Sequence, residues 1–255
     1  MKCKSLIGKA SLVLLATFSM VMFSKPTAKQ QVSANSEQQQ GFHQTLQSVS
    51  QVNQPTYSTI LLDVPLENQN AGARLENGCE VTALSMLLQY YGYQTNKNEL
   101  AQRLNYVPFH VDAHTYGNPH EGFVGDIQSG KQAMGVFVEP IAKLARDYVH
   151  DDVTVHSEKL SFTQVIQLLQ QDIPVWSLAT VNLVEPSDQD FIDWPTTSGV
   201  IQVTPLIHAV VLTGMDQEYI YVNDPHGIKN RPVKIETMQK IFERLGQQSL
   251  YLTIN

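Results

Sequence analysis

The chain is poor in cysteine and in basic residues, and both shortages exclude classes of protein. Its 255 residues include only two cysteines, Cys3 and Cys79, so a scaffold held by several disulfides is excluded. Seventeen lysines and arginines stand against 24 aspartates and glutamates, which gives a net charge of -7. A protein that grips nucleic acid through its phosphates needs the opposite balance, so we expect no nucleic-acid partner.

Long apolar runs are scarce as well, although 42% of the residues are hydrophobic and can build a packed core. Residues 10–24 are uncharged and mostly apolar, but a bilayer span needs about 20 such residues. They follow the basic stretch 1–9 and precede small residues that end at Ala28. This order predicts a secretory signal peptide over 1–28, with an uncleaved membrane anchor as the alternative. We therefore expect a secreted or cell-surface protein.

The remaining chain divides into a polar segment and one domain. Residues 29–58 are rich in glutamine, serine and asparagine and lack apolar periodicity, which indicates a flexible spacer. Residues 60–255 are a suitable length for a single domain. We find no internal repeat in them.

The domain has helices early and strands late, a pattern that predicts an α+β fold with helices packed on an antiparallel sheet. Apolar residues at helical spacing predict a helix from Cys79 to Gly92, and Asn96 is a typical cap for the next one. Residues 105–130 and 182–204 are expected to be irregular. The other predicted elements are a first strand near 60–64, a helix opened by Ser161-x-x-Gln164, strands at 173–181, 205–214 and 218–224, a helix at 236–245 and a final strand, SLYLTI.

Cys79 is the first candidate for chemistry, because cleavage after Ala28 would leave it as the only thiol of an exported protein. It lies where the loop ENG turns into a helix. Free backbone N–H groups and the helix dipole at that end would favour the thiolate, the nucleophilic form of cysteine. Gly78 allows a tight turn and a close approach of substrate. A small, buried and inert cysteine is the alternative.

His208 and Asp224 are expected to lie on neighbouring strands of a hairpin. If Gly214 pairs with Tyr219, Asp224 falls opposite Ala209, and a shift by one residue places it opposite His208. In either register a carboxylate could orient the imidazole. A Cys–His–Asp arrangement supplies a nucleophile, a proton carrier and an orienting acid.

An acyl-transfer site also needs a donor for the oxyanion. Gln69 lies in the loop ten residues before Cys79, and its amide could act with the Cys79 backbone N–H. On spacing alone Asn68, Asn70 and Asn77 could do the same.

The sequence resembles the papain-like cysteine peptidases of the bacteriocin-processing, double-glycine leader group (peptidase family thirty-nine), in particular their secreted stand-alone relatives. The cysteine-helix motif and the histidine hairpin are specific as a pair. The motifs that carry the resemblance are LDVPLENQ at 62–69, NGCEVTALSMLLQYYGY at 77–93, GNPHEGFVGDI at 117–127 and HAVVLTGMDQEYIYVNDP at 208–225.

This resemblance implies a papain-like fold and assigns four residues. Cys79 matches the nucleophile, His208 the general base, Asp224 the orienting acid and Gln69 the oxyanion glutamine, although the spacing from Gln69 to Cys79 is longer than in papain-like enzymes. The implied function is a secreted cysteine peptidase that hydrolyses peptide bonds through a thioester acyl-enzyme. Its partner would be a peptide or protein substrate, and it would need no cofactor.

Two other functions use the same residues. One is an amidase or endopeptidase acting on cell-wall peptide, and export would also allow association with the wall or the cell surface. The other is a catalytically silent surface-binding module. Leader-processing members are fused to a transporter with an ATPase, neither of which this sequence contains, so a leader-peptide substrate does not follow.

Two further motifs are weak. His110, Asp112, His114 and His120 could ligate zinc, but nearby glycine and proline favour a solvated loop, so we expect no metal. Residues 125–131 approach a phosphate-binding loop, but Gln132 stands where a serine or threonine should hold magnesium. We expect no nucleotide.

Overall fold

The computed structural model of the protein describes residues 59–130 and 132–255. The predicted signal peptide (1–28) and spacer (29–58) lie outside this part. Among the described residues, no helix is long and apolar enough to cross a membrane. The predicted α+β class is confirmed, and the helices are α1 (Cys79–Tyr90), α2 (Lys97–Arg103), α3 (Val138–Arg146), α4 (Phe162–Gln170) and α5 (Ile235–Arg244).

One seven-stranded sheet forms the centre of the domain, and all its strand pairs are antiparallel. The strands are β1 (Ile60–Leu61), β2 (Tyr106–Val107), β3 (Phe123–Gly125), β4 (Ala133–Gly135), β5 (Val153–His156), β6 (Val175–Thr180), β7 (Ile192–Thr196), β8 (Gly199–Val203), β9 (Ile207–Met215), β10 (Tyr219–Asp224), β11 (Ile228–Lys234) and β12 (Ser249–Ile254). The order in the central sheet is β11-β10-β9-β6-β12-β5, and β1 pairs with the end of β9 that lies beyond β6. Two smaller sheets consist of β2-β3-β4 and β7-β8.

Helix α1 is enclosed rather than amphipathic. Every residue from Cys79 to Leu88 is buried, so this helix has no solvent face until its last turn. Strand β6 is likewise buried at all six positions, which means that both faces of the sheet are covered there. The indole of Trp176 on β6 donates to the backbone carbonyl of Glu80 over 3.0 Å. This bond fixes the first turn of α1 against the sheet.

Several elements differ from the sequence-based expectation. Residues 182–204 contain the β7–β8 hairpin, so the prediction of an irregular segment is wrong there. Its turn lacks the Asn-Gly or Asp-Gly pair typical of tight hairpins, and Pro195 lies within β7. Neither α3 nor β11 was predicted. Most of 105–130 is irregular as expected, apart from β2 and β3.

The predicted register of the histidine hairpin is wrong. Gly214 pairs with Tyr221, not with Tyr219, and a bulge between Tyr221 and Val222 shifts the pairing again. The reason is a wider turn: the Asp216 carboxylate accepts the backbone N–H of Tyr219 over 2.8 Å and holds that residue in the loop end of the hairpin. A side-chain-stabilised turn of this kind is not visible from strand alternation alone.

We expect Leu84→Ala, at a fully buried site in α1, to lower the free energy of unfolding by about 2–5 kcal/mol, because it removes apolar contacts and leaves a cavity. Urea unfolding followed by circular dichroism measures this loss. Leu61→Ala is the control, since that side chain is 54% exposed and its truncation should cost little. Equal losses in the two variants would contradict a core centred on α1.

Candidate active site

The loop before α1 is tied to the end of β10 by two hydrogen bonds. The backbone N–H of Gln69 donates to the carbonyl of Pro225 over 2.8 Å, and the Asn223 amide donates to the carbonyl of Val64 over 2.9 Å. These bonds connect the loop to the end of β10. At the start of α1, Gly78 is the cap residue and has no side chain to occupy the first N–H groups. Cys79 is therefore placed at an open helix N-terminus.

His208 and Asp224 meet across β9 and β10. His208 Nε2 lies 2.9 Å from Asp224 Oδ1, and both side chains are almost completely buried. The structure brings the two together although the predicted register is wrong, because an extra residue in β9, Thr213, changes which residues of β9 and β10 face each other towards the strand end. With Nε2 committed to the carboxylate, Nδ1 is the ring nitrogen that can accept a proton.

The buried carboxylate of Asp224 is compensated on both oxygens. Burial alone would raise its pKa, but the hydrogen bond and positive charge of His208 oppose this, as do the His226 N–H at 2.9 Å and the Arg231 guanidinium at 2.8 Å. The pKa of Asp224 consequently lies well below its usual range. Asp224 is therefore ionised at all ordinary pH values and can support an imidazolium.

The Cys79 thiol has a different environment from the one expected. Burial raises its pKa well above the ordinary value, and the neighbouring carboxyl of Glu80 raises it further. The backbone N–H groups of Ala209 and Cys79 act in the expected direction and lower it, but they are outweighed. Cys79 Sγ donates to Glu80 Oε2 over 3.2 Å. The resting form is accordingly a thiol rather than a thiolate.

Gln69 lies at the cavity with its amide already engaged. Its Nε2 donates to the carbonyls of Leu75, at 3.2 Å, and Glu76, at 2.9 Å, while its buried Oε1 has no hydrogen-bond partner among the described residues. Turning the amide over would place its oxygen against both carbonyls, so the observed orientation is the favourable one. An oxyanion donor needs a free N–H. Nε2 must break its hydrogen bond to one of these carbonyls before Gln69 can donate to an oxyanion.

A cavity of about 220 Å³ joins the candidate residues. Gln69, Cys79 and His208 line it, and Asp224 lies behind His208. Of the three asparagines considered as alternative donors, only Asn77 lines this cavity, and its amide donates to the carbonyl of Asp126. The other lining residues are Glu76, Glu80, Ala133, Met134, Gly135, Val181, Pro205, Ile207 and His226.

Three residues of the site were not predicted: Glu80, His226 and Arg231. Glu80 directly follows Cys79 in the NGCE motif, and its charge beside a thiol was a signal that could have been used. The ring of His226 stacks on that of His208 with centroids 4.8 Å apart. Arg231 lies on β11, and its approach to Asp224 depends on a bulge that residue spacing does not reveal.

Among the described residues, the two weak motifs have other local arrangements than the ones they suggested. Within residues 59–130 and 132–255, the grouping with metal-ligand spacing is His208, Asp224 and His226, which is the triad region itself. The Asp112 carboxylate instead accepts the backbone N–H of His114 over 2.7 Å and closes a turn. After Gly125 the chain proceeds to strand β4, whereas a phosphate-binding loop opens a helix.

The compensation of Asp224 predicts how acid affects stability. Its folded pKa is depressed, so its contribution is fully present above the unfolded value of about 3.9 and is lost as the pH falls below it. Urea unfolding should show wild type more stable than Asp224→Asn at neutral pH, with the difference shrinking below about pH 4. A difference that stays constant with pH would contradict ionic compensation.

Comparisons with known proteins identify the family of the chain. The chain is 39% identical over 191 residues to the uncharacterized protein YvpB of Bacillus subtilis strain 168, with 75% of each chain covered. Its fold matches the crystal structure of a candidate C39-like peptidase from Bacillus anthracis with a TM-score of 0.72 and 30% identity, covering 78% of this chain and 99% of the other. The sequence profile of the Peptidase C39-like family matches residues 61–250. The chain therefore belongs to the Peptidase C39-like family.

Proposed function

We propose that the protein is a secreted cysteine peptidase that uses Cys79 as nucleophile, His208 as general base and Asp224 as orienting acid. The observation that carries this proposal is the buried His208–Asp224 pair, 2.9 Å apart, on the same cavity as the thiol at the start of α1. Membership of a peptidase-like family agrees with it.

In the first step, His208 Nδ1 removes the proton from the Cys79 sulfur as the sulfur attacks the peptide carbonyl carbon. The negative charge of Asp224 stabilises the resulting imidazolium and keeps the ring oriented through Nε2. The carbonyl oxygen becomes an oxyanion. The Cys79 backbone N–H, at the open helix end, and the Gln69 amide are the proposed donors for it.

The tetrahedral intermediate then collapses, and the imidazolium gives its proton to the leaving amine. The remaining acyl group is bound to sulfur as a thioester. Water, deprotonated by His208, attacks this thioester and releases the carboxylic acid and the thiol. No cofactor takes part in these steps.

The shape of the cavity supports small residues at the cleaved bond. Its volume is about 220 Å³, below the range of about 300–1,000 Å³ typical of small-molecule pockets. The small residue Ala133 lies on one wall of the cavity. We propose peptides with small residues beside the scissile bond as substrates, and export through the signal sequence at 1–28.

A peptide library tests the activity. We expect the protein to cleave a subset of peptides and Cys79→Ser to reduce kcat/KM by roughly 10³-fold or more, because the hydroxyl is a far weaker nucleophile in a site built for sulfur. His208→Gln should lose about 10²–10⁴-fold through the missing base. His150→Gln is its control, since that histidine is exposed and lies outside the cavity.

The same experiment separates the alternative functions. Release of soluble fragments from purified cell wall, with no cleavage of the library, would replace the peptidase proposal by a wall amidase or endopeptidase. A folded protein that cleaves neither substrate would support a silent binding module. Unchanged cleavage by Cys79→Ser would contradict the nucleophile assignment.

Gln69→Ala tests the oxyanion donor. If the amide leaves a backbone carbonyl to bind the oxyanion, we expect kcat to fall by about 10²–10³-fold. Steady-state kinetics and thermal unfolding are measured together. A lower unfolding temperature with unchanged kcat would show instead that Gln69 only holds the loop between residues 69 and 76.

A further inference from the structure

We propose that Glu80 is a positioning residue for Cys79: its protonated carboxyl group donates a hydrogen bond to the thiolate that forms when His208 takes the thiol proton. When Glu80 loses its own proton to solvent, the His208 imidazolium returns the thiol proton to the sulfur, which is then the unreactive thiol. This inference rests on the proposed function and concerns how the reactive state of its nucleophile is maintained.

The geometry holds both oxygens of the Glu80 carboxyl group in defined places. Oε2 lies 3.2 Å from Cys79 Sγ, and Oε1 accepts the backbone N–H of Val136 over 3.1 Å. The residue is 1% exposed, yet it lines the same cavity as Cys79 and His208. Glu80 is therefore a wall of the site rather than a distant part of the core.

The opposite wall is shaped to accept this carboxyl group. Gly135 has φ of +90°, a conformation that favours glycine, and a Cβ at that position would collide with Glu80 Oε1. The next residue, Val136, supplies the N–H that binds the same oxygen. The chain at residues 135–136 thus provides space and a donor for an acidic side chain inside the domain.

Within the part of the chain that the structure describes, Glu80 has no salt-bridge partner, although the charge of His208 acts to lower its pKa. Among the ion pairs of the described residues, none involves this carboxyl group, and burial raises its pKa despite the opposing N–H groups of Glu80 and Val136. The titratable groups that act on it are Cys79 on α1 and His208 on β9, and its charge acts on Tyr106 on β2. Burial therefore shifts the balance of Glu80 towards its neutral acid form.

The neutral and ionised forms have opposite effects on the thiol. An ionised Glu80 accepts a hydrogen bond from the S–H group and places a negative charge next to any thiolate, so the sulfur keeps its proton. A neutral Glu80 has an O–H that can donate to the sulfur anion after His208 takes the thiol proton. Glu80 keeps its own proton throughout, so the hydrolytic cycle remains balanced.

The test follows the alkylation of Cys79 by iodoacetamide as a function of pH. Glu80→Gln retains an N–H donor and an acceptor but does not ionise. On the alkaline side we expect it to be alkylated about tenfold or more faster than wild type, the effect of one pKa unit, whereas the two should agree on the acidic side. Glu80→Ala, which has no donor, should be alkylated more slowly than Glu80→Gln on the acidic side. Glu236→Gln, the same change at an exposed position of α5, is the control and should follow wild type.

Each result decides the inference independently of hydrolysis, because alkylation needs no substrate. Superimposable profiles of Glu80→Gln and wild type would overturn it, as would equal rates for Glu80→Ala and Glu80→Gln on the acidic side. Should Glu80→Gln not fold, the wild-type profile decides: the alkylation rate should pass through a maximum and decline as Glu80 loses its proton. A single rise to a plateau would overturn the inference. If the alkylation profiles are as expected but the protein cleaves no peptide, the proposed function is contradicted and the inference about Glu80 is not.

Discussion

The buried charge of Asp224 is the constraint on which the architecture of the site depends. A carboxylate without solvent is costly unless cations and N–H groups compensate it, and here these come from β9, the turn after β10 and β11. The hydrogen bonds and ion pairs of Asp224 therefore connect β10 to β9 on one side, to β11 on the other, and to the turn between β10 and β11. The same compensation orients His208, so the stability of this sheet edge and the alignment of the base have one physical origin.

The parts of the fold that follow from local chemistry were predictable. The helix from Cys79, the Asn96 cap and the Ser161–Gln164 capping box all depend on residues close in sequence, and the structure has each of them. The β7–β8 hairpin and α3 were missed because their signals are weak or non-local. Helix α3 is only nine residues long and carries a proline in its first turn, and the burial of six of its residues depends on partners distant in sequence.

The site shows the same division at the level of single residues. Motif resemblance led to Cys79, His208 and Asp224, and the structure places the first two on one cavity with Asp224 behind His208. The hairpin register that was meant to explain their meeting was wrong, since two irregularities, a wide turn and a bulge, decide it. Arg231 was missed for a related reason: its approach to Asp224 depends on a second irregularity, in the pairing of β10 with β11.

The enclosure of α1 has a consequence for motion in the cleft. Backbone amides of a helix buried on all sides exchange with solvent only through large openings, so this helix should belong to the most slowly exchanging unit of the domain. The sulfur is then a fixed point, and substrate entry must be accommodated by the surrounding walls.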